Sequence, residues 1–327
     1  MNNSSELFVS YASDDKYAVY MGVSMLSLFE SNKDINNIVV YVLDCGIGEC
    51  NRRKLMEVAE KYQRKIVFTA VDDLVAGLKL NMGTRKISVV SYARLFLSSI
   101  VPEYVDKVIY IDCDTIVCNS LLPMWNTNLE NALVAGVQDT VDSYFNRIIK
   151  LDREVRYVNA GILLINLCLW RKENIQNSFL KYIDEMNGTV PHHDQGVINH
   201  VCAERRVILP LRFNVTSNIF TFSEKTIRRM HRIDGKYYTQ QEIDEVRKRP
   251  TILHFTTGLL GRPWEENCRH PYKDYYEKVL ESSPWHGTAK LNDTMKLSVK
   301  ASRFVCNHIS SALFGEIYRM TSWILHR

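Results

Sequence analysis

The chain has 327 residues, 46% hydrophobic and 24% charged, which excludes a disordered or low-complexity protein and leaves room for one large α/β domain with an appendage. No apolar run approaches the roughly 18 residues of a spanning helix, and the opening MNNSSELFVSYASDD has neither a basic start nor a long apolar stretch, so no secretory signal is read and a cytoplasmic address is expected. The net charge of +4 belongs to the C-terminal end, where Lys290, Lys296, Lys300, Arg303, Arg319 and Arg327 face only Asp293 and Glu316; a neutral body gives nucleic-acid binding no support.

In chain order, Glu6–Ala12 reads as a strand and Tyr17–Glu30 as a helix, with Ala18, Met21, Met25 and Leu28 on one face. Ile38–Leu43 has the length and apolarity of a buried strand. Glu49–Tyr62 is helical, Lys65–Val71 a third strand, Ser91–Ser98 helical and Lys107–Ile111 a fourth strand. Continuous rather than alternating apolar strands in a βαβα order predict a mostly parallel sheet covered on both faces. Leu133–Gln138 and Ala160–Leu167 are strand-like, helices are expected at about 170–187 and 194–203, and Thr251–Phe255 is a short strand before a helix near 273–281. The Ser282-Ser283-Pro284 break and Gly287 set a boundary between a catalytic body, 1–287, and a basic amphipathic helical region, 288–327. The eight cysteines form no zinc-like spacing and read as reduced thiols serving as small core residues, Cys168 in LLINLCLW among them.

In a parallel sheet ligands gather beyond the carboxyl ends of strands. Acids stand there after each of the first four: Asp14 and Asp15, Asp44, Asp72 and Asp73, and Asp112-Cys113-Asp114. The last pair can leave a buried strand together toward one cation. Oxygen ligands suit Mg²⁺ or Mn²⁺, which also take phosphate oxygens and stabilise a departing diphosphate. The same residues fit a haloacid-dehalogenase-like phosphatase with Asp112 as nucleophile and Asp114 as acid/base, but the lysine and second acidic pair such an enzyme needs are not evident.

Six segments, YASDDKYAVYMGVSMLSL, VVSYARLFL, KVIYIDCDTIV, VNAGILLINLCLWR, HHDQGVIN and LHFTTGLLGRPW, run in one order over about residues 6–272. Together they resemble the family 8 retaining glycosyltransferases, above all the bacterial lipopolysaccharide α-galactosyl- and glucosyltransferases, with glycogenin more distant. The resemblance implies a GT-A nucleotide-sugar-binding fold, a Rossmann-like mixed but mainly parallel sheet flanked by helices, with a C-terminal helical tail. It implies a UDP-hexose donor, galactose or glucose, an oligosaccharide or lipid-linked glycan acceptor, and Mn²⁺, with Mg²⁺ as the alternative. Asp112 and Asp114 match two metal ligands and His254 the third. Ala12, Asp14 and Tyr17 match uracil and ribose contacts; alone, Asp14 would read as a helix cap. Arg94, otherwise a surface ion pair, matches a contact to the donor sugar, and Asp139 one to its hydroxyls. Asn159, Ala160, Asp194 and Gln195 match positions around the sugar, and Cys113 is counted among the donor contacts. Gly258 and Gly261 allow backbone approach to the diphosphate. Arg262 stands where many relatives carry lysine, a departure that replaces a point charge by a planar fork.

Retention leaves two routes open: a covalent intermediate on Asp194, or front-face attack with Asp194 and Gln195 positioning the sugar. An amide oxygen is a weak nucleophile, so front-face attack is the expectation. A nucleotide-sugar-binding protein without turnover is the non-enzymatic alternative, disfavoured because every matched position keeps a competent side chain. The basic tail, mixed with Leu, Phe, Ile and Trp, suits peripheral attachment to the anionic inner face of the cytoplasmic membrane; a helix packed on the body is the alternative.

Overall fold

Residues 6–71, 73–74, 77–78, 80, 89–152, 154–293 and 295–325 are described by a computed structural model; Asp72, one of the acids singled out above, lies outside them. β1 (Glu6–Ser13) and β2 (Asn37–Asp44) are buried at every position after the first. Alternate residues of β1 feed two cores, Leu7, Val9 and Tyr11 on one side and Phe8 and Ala12 on the other. That two-sided burial is why these strands are apolar throughout rather than alternating. α1 (Ala18–Glu30) and α2 (Glu49–Lys61) cross over between β1, β2 and β3 (Lys65–Ala70), which pair in parallel.

The sheet runs β3-β2-β1-β4-β7-β6-β8, with β4 (Lys107–Ile111), β6 (Val134–Gln138), β7 (Val158–Asn166) and β8 (Arg206–Ile208). It is mainly parallel, but β7 is antiparallel to both β4 and β6. The reversal matters for the site: Ile111 pairs with Ile162, so the amino end of β7 meets the carboxyl end of β4. A second sheet, β5 (Thr115–Val117), β10 (Ile252–His254) and β9 (Val215–Thr216) in the order β5-β10-β9, sets His254 opposite Thr115.

One expectation is refined and two need correction. The segment around Arg94 is a 3-10 helix, Val89–Phe96, followed by one α-turn, Leu97–Ile100. The helix expected at 170–187 is two, α3 (Leu167–Lys172) and α4 (Ile175–Glu185), broken where Asn174 takes a left-handed φ of 51°. All eight cysteines are free, but Cys168 and Cys50 are exposed rather than core residues; Cys168 follows the β7 strand into the first turn of α3, where the chain leaves the sheet.

α5 (Asp194–Val201), α6 (Glu224–Met230) and α7 (Lys273–Glu281) belong to the body. Beyond it α8 (Leu297–His308) and α9 (Ser311–Leu325) fold back on it. Phe314 is 4% exposed and stacks on Phe222, 5.5 Å between centroids, while Arg229 pairs with Glu316 at 2.9 Å. No helix among the described residues is long and apolar enough to cross a membrane.

The turn before this region is anchored by Trp285, buried on α1 with its indole N–H donated to Asn51 Oδ1 at 2.8 Å. A Cβ on Gly22 would fall 2.2 Å from the Trp285 ring. Gly22→Ala should therefore lower the unfolding free energy by about 1–3 kcal/mol, the usual cost of overpacking. A urea titration checks it; an unchanged midpoint would mean the ring moves aside freely.

Candidate active site

Several chain segments converge beyond the carboxyl end of β4. Asp112 leaves the strand with its N–H donated to Gly161 O at 2.7 Å, which fixes the start of β7 beside it. A Cβ on Gly161 would lie 2.4 Å from His254 Cε1 and 2.7 Å from Asp112 Oδ2, so only glycine admits this approach. Around these residues is a cleft of about 440 Å³ whose lining includes Arg94, Asp112, Asp139, Asn159, Ala160, Asp194 and Gln195.

Arg94 is 4% exposed, not the surface residue its mid-segment position suggests. Its Nη2 donates to Asp112 Oδ1 at 2.9 Å, Nη1 to Ala160 O, and Nε to Ser91 O at 2.9 Å, with Asp194 Oδ2 3.0 Å from the same Nε. The guanidinium lies 4.2 Å from the Tyr110 ring centroid. Burial works against its charge, but Asp112 and Asp194 outweigh it and raise its pKa overall.

A second network fixes the far wall. Gln195 Nε2 donates to Asp139 Oδ2 at 3.0 Å and its Oε1 accepts from Ala160 N at 3.0 Å. Asn159 Nδ2 donates to the same Asp139 oxygen at 2.9 Å, and Asn159 Oδ1 accepts from Gly161 N and from Asn214 Nδ2. Both ends of the Gln195 amide are thus engaged.

Asp112, Asp114 and His254 offer one ligand atom each within 4.8 Å of one another. His254 Nε2 is 3.2 Å from Asp114 Oδ1 and 3.9 Å from Asp112 Oδ2. His254 Nδ1 is 3.0 Å from Asn214 Oδ1, an outer partner that orients the ring and directs Nε2 at the carboxylates. Two carboxylates and an oriented imidazole make a donor set that fits a divalent cation. The two acids are shifted in opposite directions. Burial raises the Asp112 carboxyl overall, although Arg94 opposes it. Burial also pushes on Asp114, but His254 and Arg262 prevail and bring it down to about 2. His254 is raised: burial opposes its protonation, and Asp114 and Asp112 overcome that.

Arg262 and Cys113 are the remaining predicted residues nearest this trio. Arg262 Nη2 donates to Asp114 Oδ2 at 3.0 Å and Nη1 to the Tyr17 hydroxyl at 3.2 Å. Cys113 is buried, its thiol directed at Ala12 O at 3.1 Å. Asp14 Oδ1 accepts from Tyr17 N at 3.0 Å in the turn that leads into α1. Gly258 and Gly261 lie on the loop that carries Arg262; a Cβ on Gly261, whose φ is +72°, would meet Arg303, Glu265 and Cys268 rather than the cleft. The sequence reading had not singled out Ser91, Gly161 or Asn214. Gly161 sat in a quoted segment and carried a signal, a glycine inside an apolar strand beside the acids. Asn214 and Ser91 carried none.

The model of glycosyl transferase family 8 matches residues 8–268, and the chain belongs to that family. The chain is 26% identical over 289 residues to general stress protein A of Bacillus subtilis, covering 88% of this chain and 97% of that protein. It is 24% identical over 288 residues to a lipopolysaccharide 1,2-glucosyltransferase of Escherichia coli, covering 87% and 80%. The fold is shared with the crystal structure of galactosyltransferase LgtC in complex with donor and acceptor sugar analogues, at a TM-score of 0.68 and 24% identity over 90% of this chain and 99% of that one. The GT-A fold is thereby observed, and neither the phosphatase nor the inactive-binder alternative gains support.

If the trio takes a divalent ion, His254 must be neutral to ligate. Because its pKa is raised, Mn²⁺ affinity should weaken as pH falls through that pKa and recover above it, while Asp114 stays ionised throughout. Calorimetric titration with Mn²⁺ across pH checks this; His254→Ala should flatten the profile and weaken binding, and a profile unchanged by the substitution would exclude His254 as ligand.

Proposed function

We propose that this family 8 chain is a retaining hexosyltransferase that moves galactose or glucose from a UDP-sugar to a glycan acceptor, oligosaccharide or lipid-linked, in lipopolysaccharide or other surface-polysaccharide synthesis. The observation that carries the reading is the adjacency of the Asp112–Asp114–His254 trio to a cleft walled by Arg94, Asp139, Asn159, Asp194 and Gln195. Such a cleft offers a diphosphate end and a sugar end a few ångströms apart. The names of the lipopolysaccharide glucosyltransferase and galactosyltransferase relatives support a hexose.

Asp112, Asp114 and His254 would hold the ion, Mn²⁺ in preference to Mg²⁺ because one ligand is an imidazole, and the bound ion would neutralise charge developing on the diphosphate. Arg262 adds a fixed fork beside Asp114 on the same side. Ala12, Asp14 and Tyr17, at the end of β1, serve the uracil and ribose, with the exposed Tyr17 ring available to the base. Gly258, on the loop that carries Arg262, would approach the diphosphate, and Cys113, its thiol turned to Ala12 O, would serve the donor side through its backbone between the two acids.

The sugar end supports front-face attack. Asp194 is held by Arg94 and the Gln195 amide is bonded at both ends, so both are placed to position rather than to attack. The acceptor hydroxyl then forms its bond to the anomeric carbon on the face from which the diphosphate oxygen departs. Its proton goes to that departing oxygen, and configuration is retained. Asp194 and Gln195 stabilise positive charge at the anomeric carbon, while Arg94, Asp139, Asn159 and the Ala160 backbone orient the hexose.

The C-terminal region is proposed to rest on an anionic membrane surface. α8 leaves Leu297 83% and Phe304 64% exposed one heptad apart, in the segment that carries the chain's whole charge excess. Replacing both by Ser should reduce co-sedimentation with phosphatidylglycerol vesicles by at least about tenfold. Equal sedimentation of variant and wild type would rule the surface out.

For the transfer itself, UDP release from a panel of UDP-sugars with Mn²⁺ is the direct assay. Release from one sugar should be abolished by EDTA and fall about 10²–10³-fold in Asp114→Asn, as for other charge-stabilising groups. Release indifferent to both would refute a metal-dependent transferase.

A further inference from the structure

The loop that carries Arg262 is held from outside the catalytic body. Arg303, on α8, donates Nε to Leu259 O at 2.5 Å and Nη1 to Asn267 O at 3.1 Å. Its Nη2 lies 3.3 Å from the Cβ position of Gly261. One planar guanidinium therefore bridges the two arms of the turn from Gly258 to Cys268, a geometry that suits a fork and that a lysine ammonium would only half reproduce.

The turn has its own internal bonds, two of them made by the Arg262 backbone. Arg262 N donates to Glu265 Oε2 at 3.0 Å, Glu265 N to Arg262 O at 2.9 Å, and Arg269 N to Leu260 O at 2.7 Å. The Cys268 thiol points at Gly261 O at 3.7 Å. The chain between body and α8 adds one more brace, where Leu291 N donates to Trp264 O at 2.8 Å and Glu266 N to Leu291 O at 3.1 Å. On the inner side of the same turn the Arg262 guanidinium reaches Asp114 and Tyr17. Only Leu260 and Gly261 separate Leu259, gripped by α8, from Arg262, which reaches the site. With a φ of +72° and no Cβ, Gly261 lets Arg303 pack directly against the turn.

We propose that Arg303 is a positioning residue for the reaction: it acts through the Leu259–Arg262 turn to hold the Arg262 guanidinium over Asp114 and the donor diphosphate. The inference rests on the transferase reading for its catalytic consequence, but the grip on the turn is testable without turnover. It also makes α8 part of the working enzyme rather than an attachment device alone.

The test uses the full chain and two readouts. Amide hydrogen exchange of the peptide spanning 256–269 should be faster in Arg303→Ala than in wild type, intermediate in Arg303→Lys, and unchanged in Lys296→Ala, an equal loss of charge at an exposed position of the same segment. With Mn²⁺ and the UDP-sugar that is cleaved, Arg303→Ala should lower kcat/KM for UDP release about tenfold, the scale of a small displacement at a reacting centre. In an Arg262→Ala background the same substitution should cost less than about twofold, because its route to the site is already gone. Unchanged exchange, or an equal loss in both backgrounds, would overturn the proposal. Faster exchange in a chain that cleaves no UDP-sugar would leave the grip standing and sink the transferase reading instead.

Discussion

The site is organised around a cation removed from water. Arg94 is buried beneath the cleft, where an unpaired guanidinium would cost several kcal/mol, and it is stable there only because each nitrogen is committed. Its partners come from four places: Ser91 in its own 3-10 helix, Asp112 after β4, Ala160 at the start of β7 and Asp194 at the start of α5. Losing one partner of such a pair typically costs about 3–5 kcal/mol, so the two carboxylates are placed by Arg94 more firmly than by their own rotamers. Asp112 accordingly divides its oxygens, Oδ1 to Arg94 and Tyr110, Oδ2 toward His254.

From that division follows the asymmetry of the acids. Asp112 is raised by burial and Asp114 is brought down beside His254 and Arg262, so two carboxylates one residue apart meet different electrostatic surroundings. The reversed strand β7 makes the arrangement possible. A parallel strand would present its carboxyl end here; β7 presents its amino end, and Asn159, Ala160 and Gly161 arrive as backbone and amide groups. The missing side chain at Gly161 is what lets His254 and Asp112 close over it.

Much of this was legible because it depends on local pattern. Buried strands read as apolar runs, and Asp112-Cys113-Asp114 stood out as acids at the end of one. The ordered segments point to the GT-A fold by resemblance alone. What was not legible depends on pairing between distant segments. Nothing local reports that β7 runs backwards, since its apolar run is compatible with either direction. Arg94 looked exposed because its compensating carboxylates lie 18 and 100 positions away. Asn214 is an ordinary asparagine before a two-residue strand, and only the fold turns it into the residue that orients His254. Cys168 looked buried because it follows a core strand, but α3 starts there and turns it outward.

The C-terminal region shows how little a composition boundary says about mechanical independence. The excess charge and the break near Gly287 mark residues 288–327 as different in kind, yet α9 buries Phe314 against Phe222 and α8 grips the turn beside the acids. The two faces of α8 differ in character: Leu297 and Phe304 are bare, while Arg303 faces the body and Val305 and Cys306 pack against its core. A helix that merely tethered the enzyme would need only the first face. The second has a physical role of its own, because the Gly258–Cys268 turn belongs to no helix or strand and carries Gly261 at a φ of +72°. Such a turn keeps one shape only when something outside it supplies the missing contacts. Arg303 supplies two of them from α8, so the seating of α8 bears on the geometry of Arg262.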